Sequence, residues 1–404
     1  MSNNAQPEIR FPGFTEGWEQ HKLIEVARYR NGKAHEQAID ESGKYIVVNS
    51  KFVSTNGRVK KYTNIIIDPL KKNELAFVLS DVPNGKAIAR TFLVDKEHRY
   101  SLNQRIAGIT PHKDTDSYFL NVLMNRNPYF LKFDNGVGQT NLTKADVENF
   151  IGHYPSYEEQ QKIGTFFKQL DDTIALHQRK LDLLKETKKG FLQKMFPKNG
   201  AKVPEVRFPG FTEDWEERKL KELFQPSKNK NNNGLYNQKD ILAASLGTEL
   251  IPKRTFFGLK STRESVKNYR IVKTGDLIYT KSPIKGFPNG IIRSNKGNVG
   301  IVPPLYCVYT LQKDINSSII QLYFEDKNRL DFYLFPLVNV GARNNVNITD
   351  LEFLEGKVTI PKSYEEQSKI VQFMEQLNTT IALHQRKLDL LKETKKGFLQ
   401  KMFV

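Results

Sequence analysis

One stretch of this chain occurs twice without a single difference. Residues 173–196 read TIALHQRKLDLLKETKKGFLQKMF, and residues 380–403 repeat them 207 positions later. Looser similarity extends upstream to Tyr157 and Tyr364, so each copy covers roughly forty residues and contains no proline. A continuous helix of that length spans roughly 60 Å at about 1.5 Å per residue. We therefore predict two long helices that act as spacers.

Side chains suited to a helix seam recur every seven residues in each copy, with a second row four residues on, which is typical of a coiled coil. Because the helices are equal and a large segment separates them, we expect them to pair antiparallel about an approximate two-fold axis. Two interpretations stay open for the seam histidines, which either face each other or mark its exposed end. The predicted seam residues are Ile163, Leu170, Ile174, His177, Leu181, Leu184, Ile370, Leu377, Ile381, His384, Leu388 and Leu391.

A second duplication marks where each half of the chain begins. PEIRFPGFTEGWEQHKL at residues 7–23 matches PEVRFPGFTEDWEERKL at residues 204–220 and contains both tryptophans, Trp18 and Trp215. We call this segment the leading motif and expect its aromatic side chains to pack in a core. The plan predicts head 1 with its leading motif over residues 1–155, a helix over 156–199, head 2 over 200–361 and a helix over 362–404.

Each head contains short apolar runs separated by turn signals, which predicts a mixed α+β domain. Strands are expected at residues 45–48, 75–79, 276–279 and 291–292, helices at 117–125 and 317–324, and turns at Asn56 and Asn84, which precede glycines. Glycines in the last turns of the long helices, Gly190 and Gly397, predict that the helices end or fray there. The predicted fold class is α+β, with two dissimilar heads separated by a pair of antiparallel helices.

Charge composition narrows the class of partner. Lys and Arg number 62 against 45 Asp and Glu, a net charge of +17, which favours a polyanionic partner. A membrane surface is the alternative, but no apolar run approaches the roughly twenty residues of a spanning helix. The first residues also lack a signal-peptide pattern, so we expect a cytoplasmic protein. The single cysteine, Cys307, lies in an apolar run and is expected to be a buried strand residue.

Identical helices that carry dissimilar heads have a physical meaning. Equal surfaces bind equal partners, whereas unequal heads bind unequal targets. For a basic chain, two heads at a fixed separation suggest a bipartite nucleic-acid site whose gap the helices set, much as dimer geometry sets half-site spacing.

The motifs resemble those of the specificity subunits of type I DNA restriction-modification systems, and the resemblance covers essentially the whole chain. It rests on the tandem plan, on FPGF in each leading motif, and on PSYEEQQKI at residues 155–163 with PKSYEEQSKI at 361–370. Within the heads, LNQRI at residues 102–106 and TGDLIYTKS at 274–282 are similar to segments of that family's target recognition domains.

The resemblance implies that each head recognises half of a split, asymmetric sequence in double-stranded DNA. It also implies that two modification (methyltransferase) subunits bind the helices and that up to two restriction subunits join them. The chain itself would perform no chemistry and hold no cofactor, with S-adenosylmethionine, ATP and Mg²⁺ on the partner subunits.

The sequence contains no phosphate loop, no glycine-rich cofactor turn and no zinc-site spacing, so we predict no catalytic or metal-binding residue. NPYF at residues 127–130 resembles the NPPY/F motif of adenine methyltransferases but lacks the second proline. A helix end followed by a proline-stiffened turn is the structural alternative. A self-contained adenine methyltransferase and a coiled-coil adaptor without DNA binding are the competing functions.

Base reading suits Arg and Lys toward guanine and Asn and Gln toward adenine, provided that the side chains project on loops. The lysines of the long helices either form a solvated face or touch the DNA backbone between half-sites. The predicted DNA-binding residues are Arg58, Lys60, Lys61, Lys86, Arg90, Gln104, Arg105, Gln139 and Asn141 in head 1, and Lys281, Lys285, Arg293, Arg343, Asn344 and Asn345 in head 2.

Overall fold

The computed structural model describes residues 6–198, 200–244, 250–252, 264–281, 283–284, 286–337 and 348–403. The chain divides into two compact units, which we call unit 1 (residues 1–178 and 387–404) and unit 2 (residues 179–386). Each unit therefore contains one head and a part of each long helix. No helix in the described ranges is long and apolar enough to cross a membrane.

Unit 1 is a mixed domain of short strands and helices. Its strands are β1 (Glu19–Lys22), β2 (Ala27–Asn31), β3 (Tyr45–Val48), β4 (Lys61–Thr63), β5 (Leu75–Val78), β6 (Ser80–Asp81), β7 (Thr91–Leu93), β8 (Tyr100–Leu102), β9 (Ile106–Pro111), β10 (Thr140–Asn141) and β11 (Ile151–Tyr154). Its helices are α1 (Leu23–Val26), α2 (Ser50–Ser54), α3 (Ser117–Met124), α4 (Pro128–Leu131), α5 (Lys144–Glu148) and the first part of α6 (Tyr157–Lys194), with a 3-10 turn at Glu36–Ala38.

Unit 2 begins within α6 and follows the same style. Its strands are β12 (Glu216–Lys219), β13 (Phe224–Pro226), β14 (Leu242–Ala244), β15 (Leu250–Pro252), β16 (Arg270–Val272), β17 (Leu277–Thr280), β18 (Ile291–Ser294), β19 (Gly300–Val302), β20 (Tyr306–Leu311) and β21 (Lys357–Ile360). Its helices are α7 (Leu220–Leu223), α8 (Ser317–Glu325), α9 (Lys327–Leu334), α10 (Asp350–Leu354) and the first part of α11 (Tyr364–Lys401), with 3-10 turns at Gln238–Asp240 and Ser265–Asn268.

The central sheets of the two units have the same strand order. Unit 1 is built on the four-stranded antiparallel sheet β2-β9-β5-β7 and unit 2 on β13-β20-β17-β18. In both sheets the strand that comes first in the sequence lies at one edge and pairs with the strand that comes last in the sequence. The other two strands, β5 and β7 or β17 and β18, follow in sequence order. A smaller sheet, β4-β3-β8, lies in unit 1. The dissimilar head sequences therefore share one framework.

The predicted short elements are confirmed within a residue or two. Strand β5 and strand β17 are buried along their whole length, which explains their continuous apolar sequence. Asn56 and Asn84, at the predicted turns, have positive φ angles of 51° and 53°, a conformation that asparagine tolerates well. Helix α3 begins after Asp116, whose carboxylate accepts a hydrogen bond from the backbone N–H of Phe119 at 2.8 Å.

The repeated motifs of the two halves make equal contacts. In unit 1, Arg10 of the leading motif forms a bidentate ion pair with Glu159 in the first turn of α6, with both N to O distances 2.7 Å. In unit 2, Arg207 forms the same pair with Glu366 of α11 at 2.6 and 2.8 Å. Both carboxylates are buried, so each leading motif is fixed to the helix that follows its own head.

A glutamine next to each of these glutamates fastens the helix start to its head. Gln160 accepts a hydrogen bond from the backbone N–H of Asp116 at 3.0 Å and donates to the carbonyl of Pro155 at 2.9 Å. Gln367 makes the equivalent bonds, to the N–H of Asn316 at 2.9 Å and to the carbonyl of Pro361 at 2.8 Å. The repeated YEEQ sequence is therefore explained by packing within each unit.

In unit 1 the first part of α6 packs antiparallel against the last part of α11. Phe166 contacts Phe398 edge-on with centroids 4.9 Å apart, and Phe403 packs on Trp18 and Phe167. Five residues further along α6, Asp171 pairs with Lys395, which lies three residues before Phe398 in α11. Residue numbers therefore fall along α11 as they rise along α6, so the two segments run antiparallel.

Unit 2 repeats these contacts with the equivalent residues. Phe373 contacts Phe191 at 4.9 Å, and Phe196 packs on Trp215 at 5.8 Å. Both tryptophans are 2% exposed, which confirms that the leading motif packs in a core.

The predicted seam positions face inward. Ile163, Leu181, Ile370 and Leu388 are at most 2% exposed, and the remaining eight seam residues are partly buried. By contrast, Leu176 is 60% exposed on the same helix. Both long helices continue beyond Gly190 and Gly397 to Lys194 and Lys401, so the prediction that they end at these glycines was wrong.

Candidate nucleic-acid interface

Several connections of the unit 1 sheet leave it at the same end. Strand β5 ends where β9 begins, because Val78 pairs with Ile106. Strand β7 begins at this end as well, because its first residue, Thr91, pairs with Phe77. Strand β2 also ends there, next to the start of β9. The topology thus gathers loops from distant parts of the sequence at one place, which we call the loop end of the sheet.

Six of the predicted DNA-binding residues of head 1 lie at this loop end. The connections concerned are the one from β6 to β7, the turn from β8 to β9, and strand β10, which pairs with β6 just beyond β5. Five of these six side chains are exposed and that of Arg90 is half-buried. The residues brought together are Lys86, Arg90, Gln104, Arg105, Gln139 and Asn141.

The remaining three candidates of head 1 lie at or just before the start of β4 in the smaller sheet. Lys61 is the first residue of β4 and pairs with Val47, one residue before the end of β3. The N–H of Asn103, in the turn that leads to β9, donates to the carbonyl of Val48 at 3.1 Å. Arg58 and Lys60 precede Lys61 and all three are exposed, so these side chains lie at the end of the smaller sheet that adjoins the same turn.

The loop from β6 to β7 is held in shape by an aspartate. The carboxylate of Asp81 accepts hydrogen bonds from the backbone N–H groups of Ala87 at 2.5 Å and Ile88 at 3.1 Å. At the loop tip, Asn84 donates to the carbonyl of Gly136 at 3.3 Å, which links this loop to the one before β10. A loop that is already ordered loses less conformational freedom when a ligand binds.

Two guanidinium groups brace this loop. Arg126 donates to the carbonyl of Gly85 at 3.4 Å, and Arg90 donates to that of Lys86 at 2.5 Å. Burial lowers the pKa of Arg90, and the positive charge of Arg126 lowers it further, while Asp81 opposes both. Neighbouring cations repel each other in the free protein, and a polyanion bound here relieves that repulsion.

The amide candidates of unit 1 are oriented by neighbouring side chains. Gln104 donates to the carboxylate of Glu36 at 2.7 Å. Gln139 donates to the hydroxyl of Ser80 at 2.6 Å and lies 3.4 Å from the side-chain oxygen of Asn141. These hydrogen bonds therefore fix the orientation of the exposed amide groups.

In unit 2, Lys281 directly follows β17, at the end of the sheet that corresponds to the loop end of unit 1. Its ammonium group donates to the carbonyl of Ile348 and lies 4.0 Å from the carboxylate of Asp350. The predicted residues Lys285, Arg343, Asn344 and Asn345 lie outside the described residues.

Arg293 does not lie on a projecting loop. Strand β18 begins at Ile291, and Arg293 pairs with Ile278 inside the sheet. Its residue is 5% exposed, its guanidinium donates to the carbonyl of Ile292 at 2.8 Å, and burial lowers its pKa. The structure therefore does not bring Arg293 together with the other candidates.

Sequence reasoning missed two basic residues near the loop end of unit 1. Lys33 is exposed and follows β2, and its N–H donates to the carbonyl of Leu102 at 3.1 Å. Arg126 braces the β6–β7 loop from the end of α3. The one sequence signal for Lys33 is the glycine before it. A side chain at position 32 would collide with the backbone of Asn103, so Gly32 lets the segment that carries Lys33 pass close to the turn between β8 and β9.

The NPYF segment has a structural role. Asn127 precedes α4, where its side-chain oxygen accepts from the N–H of Tyr129 at 2.9 Å and its amide donates to the carbonyl of Leu123 at 3.0 Å. Pro128 occupies the first helical position, which suits proline. The asparagine amide is thus used for capping. The described residues also contain no group of three or more His, Cys, Asp or Glu side chains that could hold a metal ion.

Two of the duplicated lysines on the long helices form ion pairs inside their own units. Lys188 lies 2.8 Å from the carboxylate of Glu325 in unit 2, and Lys395 pairs with Asp171 of α6 in unit 1 at 2.5 Å. Both lysine side chains are about one-fifth exposed. These contacts favour an anchoring role for this pair over a solvated or DNA-facing one.

The central sheets of the two units have the same strand order, and each unit carries basic side chains at the corresponding end of its sheet. This arrangement defines a recognition protein with two heads. Residues 15–186 and 212–393 each match the family described as the type I restriction modification DNA specificity domain. The chain belongs to this family, which confirms the resemblance seen in the sequence and the predicted fold class.

Individual proteins resemble this chain over different extents. The type I restriction enzyme MjaVIII specificity subunit of Methanocaldococcus jannaschii is 25% identical over 214 residues, 52% of this chain and 49% of that protein. The chain thus spans about half the length of the curated relative it matches. The S subunit of a type I restriction-modification system from M. genitalium matches over 99% of both chains with a TM-score of 0.67 and 14% identity, which shows a shared fold. The HsdS subunit from Thermoanaerobacter tengcongensis covers 98% of both chains at 16% identity, with a TM-score of 0.41.

Proposed function

We propose that this chain is the DNA-specificity subunit of a type I restriction-modification complex. Each head reads one half of a bipartite, asymmetric site in double-stranded DNA, and the long helices set the gap between the halves. The duplicated helices bind two modification subunits, and up to two restriction subunits complete the assembly.

The observation that carries this proposal is the contrast between the frameworks and the loops of the heads. The two central sheets share one strand order, whereas the loops at their ends differ in length and sequence. A constant framework with variable ends is what two readers of different sequences require, because base contacts come from projecting side chains. The net charge of +17 supplies the phosphate attraction that such readers share.

Catalysis, in this proposal, belongs to the partner subunits. Those subunits would bind S-adenosylmethionine, ATP and Mg²⁺ in the cytoplasm, and this chain would contribute recognition and assembly only. The role of Asn127 as a helix cap supports this division of labour, since a methyltransferase would need that amide at a substrate.

Mapping methylated adenines across the genome tests the proposal directly. Cells that carry this gene should show methylation within a split motif of two constant halves and a fixed gap, and deletion of the gene should abolish it. Exchanging residues 20–155 for the head of another specificity subunit should change one half of the motif and leave the other half unchanged. A methylation pattern that survives deletion, or a head exchange that alters both halves, would refute the proposal.

Binding of S-adenosylmethionine by the isolated chain separates the competing enzyme from the proposed recognition subunit. We expect no binding to the isolated chain and stoichiometric binding to the complex with the modification subunits. Stoichiometric binding by the chain alone would instead indicate a self-contained methyltransferase.

A further inference from the structure

A cleft of about 730 Å³ opens in unit 2 between the segment that follows β13 and the first turn of α10. Its lining includes Lys228 and Lys230 from that segment, Arg270 from the start of β16, and Asp350 and Leu351 from α10. None of these residues was among the sequence-based candidates for DNA binding.

The cleft lies at the end of the sheet that corresponds to the loop end of unit 1. Strand β17 ends at Thr280, which pairs with Tyr306 at the start of β20. Strand β13 runs antiparallel to β20, and beyond it the N–H of Ser227 donates to the carbonyl of Val308 at 2.8 Å. The segment with Lys228 therefore leaves the sheet at the same end as the loop after β17.

The shared strand order gives this segment a counterpart in unit 1. Strands β2 and β13 occupy the same place in their sheets, so Lys228 and Lys230 follow β13 as Lys33 follows β2. In both units the first strand of the sheet thus delivers exposed lysines to the end where the variable loops gather.

The charges of the cleft favour an anion. Its lining carries three cationic side chains and one carboxylate, and that carboxylate is occupied, because Arg270 donates to Asp350 at 2.8 Å. Lys228 and Lys230 are exposed, and neither takes part in an ion pair within the described ranges. Two positive charges are therefore left for a ligand.

The backbone of the segment fixes the spacing of the two lysines. The N–H of Ile271 donates to the carbonyl of Asn229 at 2.9 Å, and that of Asn231 donates to the carbonyl of Tyr269 at 3.0 Å, which ties the segment to β16. Residues two apart on extended backbone share a face and lie roughly 6.6 Å from each other. Successive phosphates along one DNA strand have a comparable separation.

We infer that Lys228 and Lys230 bind two successive phosphates of one DNA strand, and that the Arg270–Asp350 pair holds the wall of the cleft against which this strand lies. The inference rests on the proposed function and names a contact surface that the function alone does not specify. These contacts position the DNA on head 2 and carry no sequence information themselves.

The test compares Lys228→Gln/Lys230→Gln with the wild-type chain, each assembled with its modification subunits. Dissociation constants are measured over a range of salt concentrations on a duplex that contains the mapped site and on a random duplex of equal length. Each lost phosphate contact should reduce the magnitude of the slope of log K against log salt by about 0.9. The slope of the double variant should therefore be smaller in magnitude by about 1.8. Affinity should fall by similar factors on both duplexes.

A matched control uses two exposed lysines at the opposite end of the same sheet, as Lys273→Gln/Lys313→Gln. This variant loses the same charge and should leave the slope unchanged, while Lys228→Arg/Lys230→Arg should retain the wild-type slope. An unchanged slope in the Lys228 and Lys230 variant, an equal change in the control, or a loss confined to the specific duplex would overturn the inference. In each of these cases sequence-specific binding by the wild type would keep the proposed function intact, whereas a wild-type complex that does not discriminate would refute both.

Discussion

The buried ion pairs between the leading motifs and the long helices give a stability prediction with an internal control. Glu159 and Glu366 occupy equivalent positions, their side chains are 0% and 2% exposed, and each accepts a bidentate pair from an arginine. Glu366 has one donor more, because the indole N–H of Trp215 lies 3.2 Å from it. The indole N–H of Trp18, in unit 1, has no hydrogen-bond partner among the described residues.

The expected losses follow from these contacts. Removing one partner of a buried ion pair costs about 3–5 kcal/mol, because the other charge is left buried without compensation. We expect Glu159→Ala to destabilise unit 1 by this amount. Glu366→Ala also leaves the indole unsatisfied, and a hydrogen bond to a charged group contributes about 1.5–3 kcal/mol. Since 3.2 Å is long for such a bond, we expect the additional loss in unit 2 to be about 1.5 kcal/mol.

Native-state hydrogen exchange separates the two units, because peptides from residues 157–170 and 364–377 report on the two helix starts independently. The opening free energy of each peptide is compared between wild type and variant. Trp215→Phe provides the control, since it removes the additional donor and should bring the effect of Glu366→Ala down to that of Glu159→Ala. Equal losses in both units with Trp215 present, or losses below about 1 kcal/mol, would refute the reasoning.

Three further predictions concern single side chains. Arg126→Gln removes the brace on the loop that carries Lys86, so binding should weaken by about 0.5–1.5 kcal/mol through the half-site of head 1 only, measured with either half-site scrambled in turn. Asn127→Ala removes a helix cap and should cost about 1 kcal/mol in thermal unfolding while genomic methylation persists; loss of methylation in a stably folded variant would contradict this. Burial lowers the pKa of His153, so its neutral form favours folding and its contribution is lost as the pH falls below about 6.5. His153→Gln should therefore flatten the decline in stability toward pH 5, and an identical decline would refute this.

The long helices could be predicted from sequence because their signal is repeated and periodic. Their helical bounds, Tyr157–Lys194 and Tyr364–Lys401, fall inside the predicted segments. Only the effect of the glycines was misjudged. A glycine inside a helix costs about 1 kcal/mol, whereas Leu192 and Met195, beyond Gly190, are buried in the core of unit 2. Tertiary packing therefore outweighs the local preference.

The candidate interface was predictable as a set of loops but not as a surface. Charged and amide side chains on predicted loops identified Lys86 and Gln104, and strand pairing then placed both at one end of the sheet. Arg293 shows where such reasoning fails, because a charged residue suggested the surface while its strand is buried throughout. Its surroundings include Glu325, whose charge partly offsets the effect of burial on the pKa of Arg293. A partner more than thirty residues away along the sequence leaves no local signal.

The identical helices also show how one sequence satisfies two different heads. Lys188 pairs with Glu325 of α8, whereas its duplicate Lys395 pairs with Asp171 of α6. The position equivalent to Asp171 in the second helix is Asn378, so the acid is supplied by the helix in one unit and by the head in the other. The heads have diverged, yet each unit still provides a carboxylate for the same lysine. A head introduced into unit 2 must therefore supply an acid near Lys188, or the exchanged chain will carry a half-buried lysine without its partner.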